Sequence, residues 1–262
     1  MDNVNKTLYI PLYGKAYVSK KGIILHDPKA EEVWGAEGFP LKGKAKTKWL
    51  AYYMGMRTAL FDSWLKEQLA QWEDAAVIHI GCGLDSRVLR VGADGHRWYD
   101  VDFASVIQER GKYYKESECY HMISGDVREP RWLDAIPDHK RAIVVMEGVS
   151  MYLNGEELRA LTASLDERFE EVALLMDCYT VLAAKLSKYK NPIHDVGVTQ
   201  VWGMDDPKQP EGGGLVFVKE HDMTPQHRMD ELKGAERAIF KKLYGGSVSK
   251  KMYRCFEYRK SV

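Results

Sequence analysis

The sequence is short of cysteine. Its 262 residues hold four, Cys82, Cys119, Cys178 and Cys255. None lies within four positions of another, so the chain has no paired-cysteine motif for zinc or disulfide exchange. Cys119 and Cys178 sit in apolar, strand-like runs and read as small core residues. This usage fits a reducing, cytoplasmic compartment. No run of about eighteen apolar residues exists, so no membrane-spanning helix and no membrane partner is expected. The N-terminal "MDNVNKTLYIPLYGKAYVSKK" lacks the apolar centre of a signal peptide. Net charge is absent as well, with 38 basic and 38 acidic residues. A nucleic-acid partner, which needs a concentrated positive surface, is not expected. The nearest cluster is "KGKAKTKW", with Lys42, Lys44, Lys46 and Lys48. It reads as a solvated loop. Internal repeats and low-complexity tracts are also missing.

What is present is enough apolar material for a core, 45% of the chain, and a regular alternation. Residues 1–45 are rich in glycine and proline and read as irregular, with "DPKAEEVW" (27–34) as one short helix. From Thr47 to about Gln71 the spacing turns helical, with Leu50, Met54, Arg57, Phe61 and Leu65 three and four apart. Strand-like and helix-like runs then take turns. The strands are "AAVIHI" (75–80), "RWYDV" (97–101), "CYHMI" (119–123), "RAIVVME" (141–147) and "VALLMD" (172–177). The helices begin at 85, 103, 129, 154 and 180, with Asn154 as an N-cap. After residue 191 the rhythm breaks. "LVFVKEHDM" (215–223) reads as a strand, 226–244 as mostly helical, and "KMYRCFEYRK" (251–260) as a last strand. This predicts an α/β fold, a doubly wound, mostly parallel, seven-stranded Rossmann-like sheet with an antiparallel last strand. Residues 1–71 form an N-terminal helical cap and 72–262 the core domain.

Ligands of such sheets bind beyond the carboxyl ends of the strands. The turn after the first strand is "GCGLDSR", from Gly81 to Arg87. Gly81, Cys82 and Gly83 give a backbone that a ligand can approach. Asp102, nineteen residues after Gly83, is placed to accept hydrogen bonds from ribose hydroxyls. Asp100, one pleat earlier with the same parity, is its rival. Phe103 follows, either against an adenine face or in the core. The dinucleotide pattern needs a third glycine where Ser86 stands, and Asp85 adds a carboxylate where a pyrophosphate would sit. Both features fit S-adenosylmethionine, a cofactor with a sulfonium and no phosphate.

The motifs "IHIGCGLDSRVLRV", "WYDVDFASVIQERGKYY", "SGDVREPRWLDAIP" and "VVMEGVSMYLNGEEL" occur in one order between "LYIPLYGKAY" and "VWGMDDP". In this the sequence resembles class I S-adenosylmethionine-dependent methyltransferases of the leucine carboxyl methyltransferase superfamily. The closer likeness is to the bacterial tetracenomycin polyketide O-methyltransferase-like branch. The resemblance implies a cofactor loop at Gly81 and Gly83, ribose binding by Asp102 and adenine binding by Asp126 and Val127. It implies that Glu147 meets the methionine ammonium group and Arg57 the methionine carboxylate. Tyr152 and Tyr179, just after strands four and five, are candidates to touch a small-molecule acceptor.

No general base stands out. His79 and His121 fall inside strands. His26 and His194 fall in loops, each followed by an aspartate, Asp27 and Asp195, which is no metal site. The aromatics Tyr13, Tyr17, Trp34, Trp49, Tyr52, Tyr53 and Trp202 either cap a planar substrate or anchor the N-terminal helices. The predicted function is an O-methyltransferase acting on a hydroxyl or carboxylate of a small molecule, aromatic or polyketide-like. The alternatives are an NAD-dependent oxidoreductase and a protein that binds the cofactor without catalysis.

Overall fold

The computed structural model describes residues 5–92, 95–187, 200–245 and 249–260. His194 and Asp195 lie outside the described residues. Three helices come first: α1 (Tyr9–Lys20), α2 (Pro28–Glu37) and α3 (Lys48–Leu69). The alternation follows as β1 (Ala76–Ile80), α4 (Arg87–Val91), β2 (Arg97–Asp102), α5 (Ala104–Arg110), β3 (Tyr120–Ser124), β4 (Arg141–Met146), α6 (Gly155–Arg168), β5 (Glu171–Tyr179) and α7 (Val181–Ser187). The last elements are β6 (Val216–His221), α8 (Gln226–Met229), α9 (Gly234–Tyr244) and β7 (Tyr253–Lys260). The predicted short helix at 129–136 is a 3₁₀ turn, Pro130–Ala135.

The seven strands form one sheet in the order β3-β2-β1-β4-β5-β7-β6. β1 to β5 run parallel, and β7 is antiparallel to both β5 and β6. The predicted seven-stranded sheet and its antiparallel last strand are both present. β1 is buried along its whole length, as a central parallel strand covered on both faces should be. One face packs under α3, where Phe61, Trp64 and Leu65 share a core with Val77, Trp98 and Ile143. The other packs under α6, where Leu158, Leu161 and Leu165 meet Ile78, Tyr99 and Val144.

The pairing register sets the level of the site. Ile80 lies beside Val101 on one side and Met146 on the other, and Met146 lies beside Met176. The next residues along these strands, Gly81, Asp102, Glu147 and Asp177, therefore emerge together at the carboxyl edge. β1 and β4 are neighbours between which the strand order reverses, the place where such sheets open a crevice.

The N-terminal segment is more ordered than its composition suggests. α2 has Asp27 as N-cap, accepting from Ala30 N at 2.9 Å, Pro28 at its first turn and Gly38 at the C-cap with φ +56°. α1 was not anticipated, because Pro11 and Gly14 read as breakers. Pro11 is the third residue of the helix, where its missing N–H costs little. Gly14 is a contact glycine: a Cβ there would stand 2.6 Å from Met54 Cβ of α3. Asn154 caps α6 in a full capping box with Glu157.

Two smaller readings change. Cys119 is exposed, ahead of β3 rather than inside it, whereas Cys82, Cys178 and Cys255 are buried. The lysine run forms a 3₁₀ turn, Gly43–Lys46, pinned by buried Ala45. Lys42, Lys44 and Lys46 are exposed, and Lys48 pairs with Glu236 at 2.7 Å.

Candidate active site

A cavity of 870 Å³ opens at the carboxyl edge of the sheet. Its size lies near the upper end of small-molecule sites, about 300–1,000 Å³. Arg57, Gly81, Cys82, Gly83, Asp102, Phe103, Asp126, Val127, Glu147, Tyr152 and Tyr179 all line it. The half beside β1, β2 and β3 is polar, and the half beside β5, α7, α9 and β7 is apolar and aromatic.

The turn after β1 requires glycine for steric reasons. Gly81 has φ +65° and Gly83 φ +51°. A Cβ on Gly81 would stand 2.2 Å from Val149 Cγ2. The turn is held to β2 by Gly81 N donating to Val101 O at 2.8 Å. Asp102 then locks it sideways: its Oδ2 accepts from Gly83 N and its Oδ1 from Phe103 N, both at 2.8 Å. Burial, opposed by those two N–H groups, pushes its carboxyl up to about 6. An acceptor that carries charge reluctantly is one that hydroxyl donors would stabilise.

Asp100 is not an equal rival. It is fully buried beneath the cavity, accepting from Trp98 Nε1 at 2.8 Å, from Tyr120 Oη at 2.7 Å and from Arg110. Burial alone would raise its carboxyl, but the Arg110 guanidinium overrides this and holds it at about 2. His79 is buried between Arg87 Nη1, 3.0 Å from its Nε2, and Asp100 Oδ1, 3.3 Å from its Nδ1. Burial and the Arg87 charge hold it below its ordinary value, so it is a neutral core residue.

Glu147 and Arg57 meet at the centre of the cavity. Arg57 Nε donates to Glu147 Oε1 at 2.9 Å, as does Thr58 Oγ1, while Arg87 reaches Oε2. Burial resists ionisation of Glu147, and the two guanidinium groups overcome it, so its carboxyl sits at about 2. Arg57 Nη1 also donates to Tyr253 Oη at 3.0 Å and lies 3.2 Å from Asp177 Oδ2. A buried cation and a buried anion side by side suit a zwitterionic ligand, whose two ends can exchange with them without net charge transfer.

Asp126 and Val127 stand on the loop after β3. Asp126 is tied to Arg128, whose Nε lies 2.9 and 3.0 Å from its two oxygens. That pairing lowers its carboxyl pKa. Arg128 lines the cavity and was not singled out in the sequence, though its place in "SGDVREP" made it visible. Lys15 is a second such residue. It projects from α1 to within 3.0 Å of Asp85 Oδ2 and is itself buried.

Asp85 does not make the loop acidic. Arg90 Nη1 at 2.8 Å, Lys15 and Arg87 at 3.6 Å surround it. Against the cost of burial they hold its carboxyl well below the usual range. Ser86 is fully buried, with Oγ 2.5 Å from Asp27 Oδ1. The start of α4 is therefore packed beneath Asp27 and Arg90, and Ser86 and Arg87 do not line the cavity.

In the apolar half, the Tyr152 hydroxyl hydrogen-bonds Thr7, and burial keeps its proton on. Tyr179 meets Tyr253 edge to face, ring centroids 5.0 Å apart. Of the aromatics weighed as a substrate cap, Tyr53 lines the cavity. Tyr13 packs on Tyr17 and Trp34, Tyr52 on Tyr17, Trp49 and Phe240. They anchor the N-terminal helices to α9. Trp202 is exposed. Among the described residues no cluster of His, Cys, Asp and Glu is arranged to hold a metal, and no helix is long and apolar enough to cross a membrane.

Known proteins carry the same pattern. The chain is 28% identical to the tetracenomycin polyketide synthesis O-methyltransferase of Streptomyces glaucescens, over 91% of this chain and 90% of that one. It is 28% identical to an S-adenosyl-L-methionine-dependent methyltransferase of Gibberella zeae, over 52% of this chain and 51% of that one. Its fold is similar to that of magnesium protoporphyrin IX methyltransferase from Synechocystis PCC 6803, solved with bound SAH. The TM-score is 0.50 at 11% identity, over 94% of this chain and 97% of that one. The family model for leucine carboxyl methyltransferase matches residues 8–166, from α1 through α6. That span is more than half of the chain and includes every strand end that builds the polar half of the cavity, and it makes this protein a member of the leucine carboxyl methyltransferase family.

Proposed function

We propose that the protein is an S-adenosylmethionine-dependent O-methyltransferase of a small molecule with an apolar, aromatic body. The observation that carries the assignment is the placement of Asp102, Glu147 and Arg57 around one cavity at the point where the strand order reverses. The donor set suits the cofactor group by group. Asp102 is a carboxylate for vicinal hydroxyls. Asp126 and Val127 supply an acceptor and a backbone N–H for an adenine edge. Arg57 and Lys15 face a carboxylate, and Glu147 an ammonium group. Residues 1–71 act as a cap whose helix α1 covers the cofactor loop, and 72–262 as the catalytic core. The four free thiols suit a cytoplasmic enzyme.

When bound, the cofactor supplies an electrophilic methyl group. The chain aligns the acceptor with it and keeps water out. Lys15, Arg57 and Glu147 fix the amino-acid end, and the tyrosines beyond them hold an acceptor ring. Packing of the α4 start beneath Asp27 and Arg90 disfavours the oxidoreductase alternative, which needs that helix end for a pyrophosphate. Calorimetric titration with S-adenosylmethionine, S-adenosylhomocysteine and NAD tests the reading. Micromolar binding of the first two without NAD supports it, and binding of NAD alone refutes it. Transfer of a labelled methyl group to a phenol then separates an enzyme from a silent binder.

A further inference from the structure

The apolar half of the cavity ends in an apolar rim. Leu186, on α7, and Leu243, on α9, line the cavity, yet each is 48% exposed. Met252, just ahead of β7, also lines it and is 36% exposed. One turn back along the two helices, Leu182 and Ile239 are exposed as well. Single exposed leucines are ordinary on a protein surface, but apolar side chains gathered at one opening mark a contact site.

The segments that carry this rim are basic. Residues 181–187, 237–245 and 249–252 hold Lys185, Arg237, Lys241, Lys242, Lys250 and Lys251, and no aspartate or glutamate. The lysine turn, Gly43–Lys46, joins them. It leads into α3, whose Leu50 also lines the cavity, and Lys48 bonds Glu236 of α9 at 2.7 Å. The stretch 42–50 likewise has four lysines and no acid. In a chain with 38 charges of each sign, this segregation is a local feature and not a property of the whole surface. Tyr53 and Thr180 hold the pieces together. Tyr53 packs on Tyr244 of α9, ring centroids 5.1 Å apart, and its Oη lies 3.4 Å from Ser249 Oγ. Thr180, ahead of α7, donates from Oγ1 to Lys251 O at 2.7 Å. Arg237 and Lys48 are paired with acids. The other lysines, Lys42, Lys44 and Lys46 on the turn, Lys185 on α7, Lys241 and Lys242 on α9, and Lys250 and Lys251, are all exposed. No ion pair among the described residues involves them.

We propose that this collar of lysines and leucines docks on an anionic lipid surface, with the apolar half of the cavity opening onto the bilayer. Docking of this kind does not depend on which reaction the cavity runs. The lack of a spanning helix excludes passage across a bilayer and not contact with its surface, so the expectation of no membrane partner does not extend to it. The side chains select the occupant. Two copies of the chain would bring like charges together, which disfavours a homodimer through this face. Protein–protein interfaces are enriched in arginine and aromatic residues and depleted of lysine. Here the unpaired cations are all lysines, and the protruding apolar residues are leucine, isoleucine and methionine. A lysine keeps its ammonium among lipid headgroups while its stem lies along apolar surface. Leucines beside it enter the boundary of the acyl chains.

Electrostatics sets the strength. Each lysine close to an anionic bilayer tightens binding about fivefold, within a screening length of about 10 Å at 0.1 M salt. The contact is therefore reversible and sensitive to salt. A lipophilic acceptor, alcohol or acid alike, then reaches the cavity without carrying its apolar body through water; this last step alone rests on the function proposed above.

The test is co-sedimentation of the full chain with vesicles of phosphatidylcholine, alone or mixed with about 30% phosphatidylserine, in about 0.1 M salt. Wild type is expected to bind the mixed vesicles and not the neutral ones, and to release them as salt is raised to about 0.5 M. Lys241→Gln with Lys242→Gln should weaken binding roughly 30-fold. Lys115→Gln with Lys140→Gln changes the net charge equally but at the amino edge of the sheet, where both lysines are exposed. That pair should leave binding within about twofold of wild type. Orientation is read separately. An environment-sensitive fluorophore on Leu186→Cys, in a Cys119→Ser background, should shift to the blue on mixed vesicles. The same fluorophore on native Cys119, exposed ahead of β3 at the amino edge, should not. No binding to mixed vesicles, equal losses in the two lysine pairs, or an unshifted fluorophore at position 186 overturns the proposal. Binding of polyglutamate without binding of vesicles overturns it too, and makes the collar a site for an acidic polypeptide. Cofactor binding, measured by calorimetry, is independent of every one of these outcomes.

Discussion

Asp102→Asn separates a binding role from a folding role. In the wild type the carboxylate accepts from Gly83 N and Phe103 N and titrates at about 6. A carboxyl that titrates higher in the folded chain than in the unfolded one contributes stability below pH 4. It loses that contribution as pH rises through about 6. At pH 7.5 the ionised group therefore destabilises the ligand-free protein. A shift of about two units is worth on the order of 3 kcal/mol, less what water in the cavity screens. Asparagine removes the charge but turns an NH₂ toward one of the two N–H groups, at a cost of about 1–3 kcal/mol. The terms oppose, so stability to urea at pH 7.5 should change by no more than about 2 kcal/mol. Binding should respond far more. Two ribose hydroxyls on a charged acceptor contribute about 1.5–3 kcal/mol each, and a neutral amide oxygen recovers about 1 kcal/mol. The net loss is about 2–5 kcal/mol, or roughly 30- to 5,000-fold in Kd for S-adenosylhomocysteine by calorimetry. The wild type should also bind about tenfold more weakly at pH 5 than at pH 7.5, because the proton must leave Asp102 first. That dependence should vanish in D102N. An affinity within threefold of wild type, or a pH dependence that survives the substitution, refutes the ribose role.

Other consequences are quickly checked. Gly81→Ala forces a side chain into a φ of +65° and onto Val149. It should cost about 2–5 kcal/mol in a denaturant melt and abolish cofactor binding. Gly14→Ala pushes α1 off Met54. It should cost about 1–3 kcal/mol and speed amide exchange in residues 9–20 ahead of the sheet. Cys119 is exposed while burial raises the thiol pKa of Cys82, Cys178 and Cys255. A thiol reagent should modify Cys119 within minutes in native protein and all four cysteines in urea.

The sheet was legible in the sequence because central parallel strands must be apolar on both faces. "AVIHI" and "AIVVM" leave little choice. The strand-end acids were legible for the same reason: a carboxylate just after such a run can only emerge at the carboxyl edge. Asp102 and Glu147 follow this logic, and so does Asp177, which the strand "VALLMD" already ended on. What sequence could not weigh was partnering. Asp85 looked like a free acid, but its neutralising Lys15 lies seventy residues earlier on a helix hidden by Pro11 and Gly14. Gly14 looked like a breaker because its reason, the Met54 side chain, is a tertiary contact. Tyr253 carried no motif, and only the antiparallel pairing of β7 with β5 brings it to Asp177. Most of the aromatic residues of the cap serve packing, a distinction that composition alone does not make.

The most direct test of the account is a crystal structure of the protein with S-adenosylhomocysteine. The account predicts the ribose hydroxyls within hydrogen-bond distance of Asp102, the adenine edge against Asp126 and Val127, and the amino-acid end between Arg57 and Glu147. A ligand bound elsewhere, or in this cavity with its ribose away from Asp102, would contradict it.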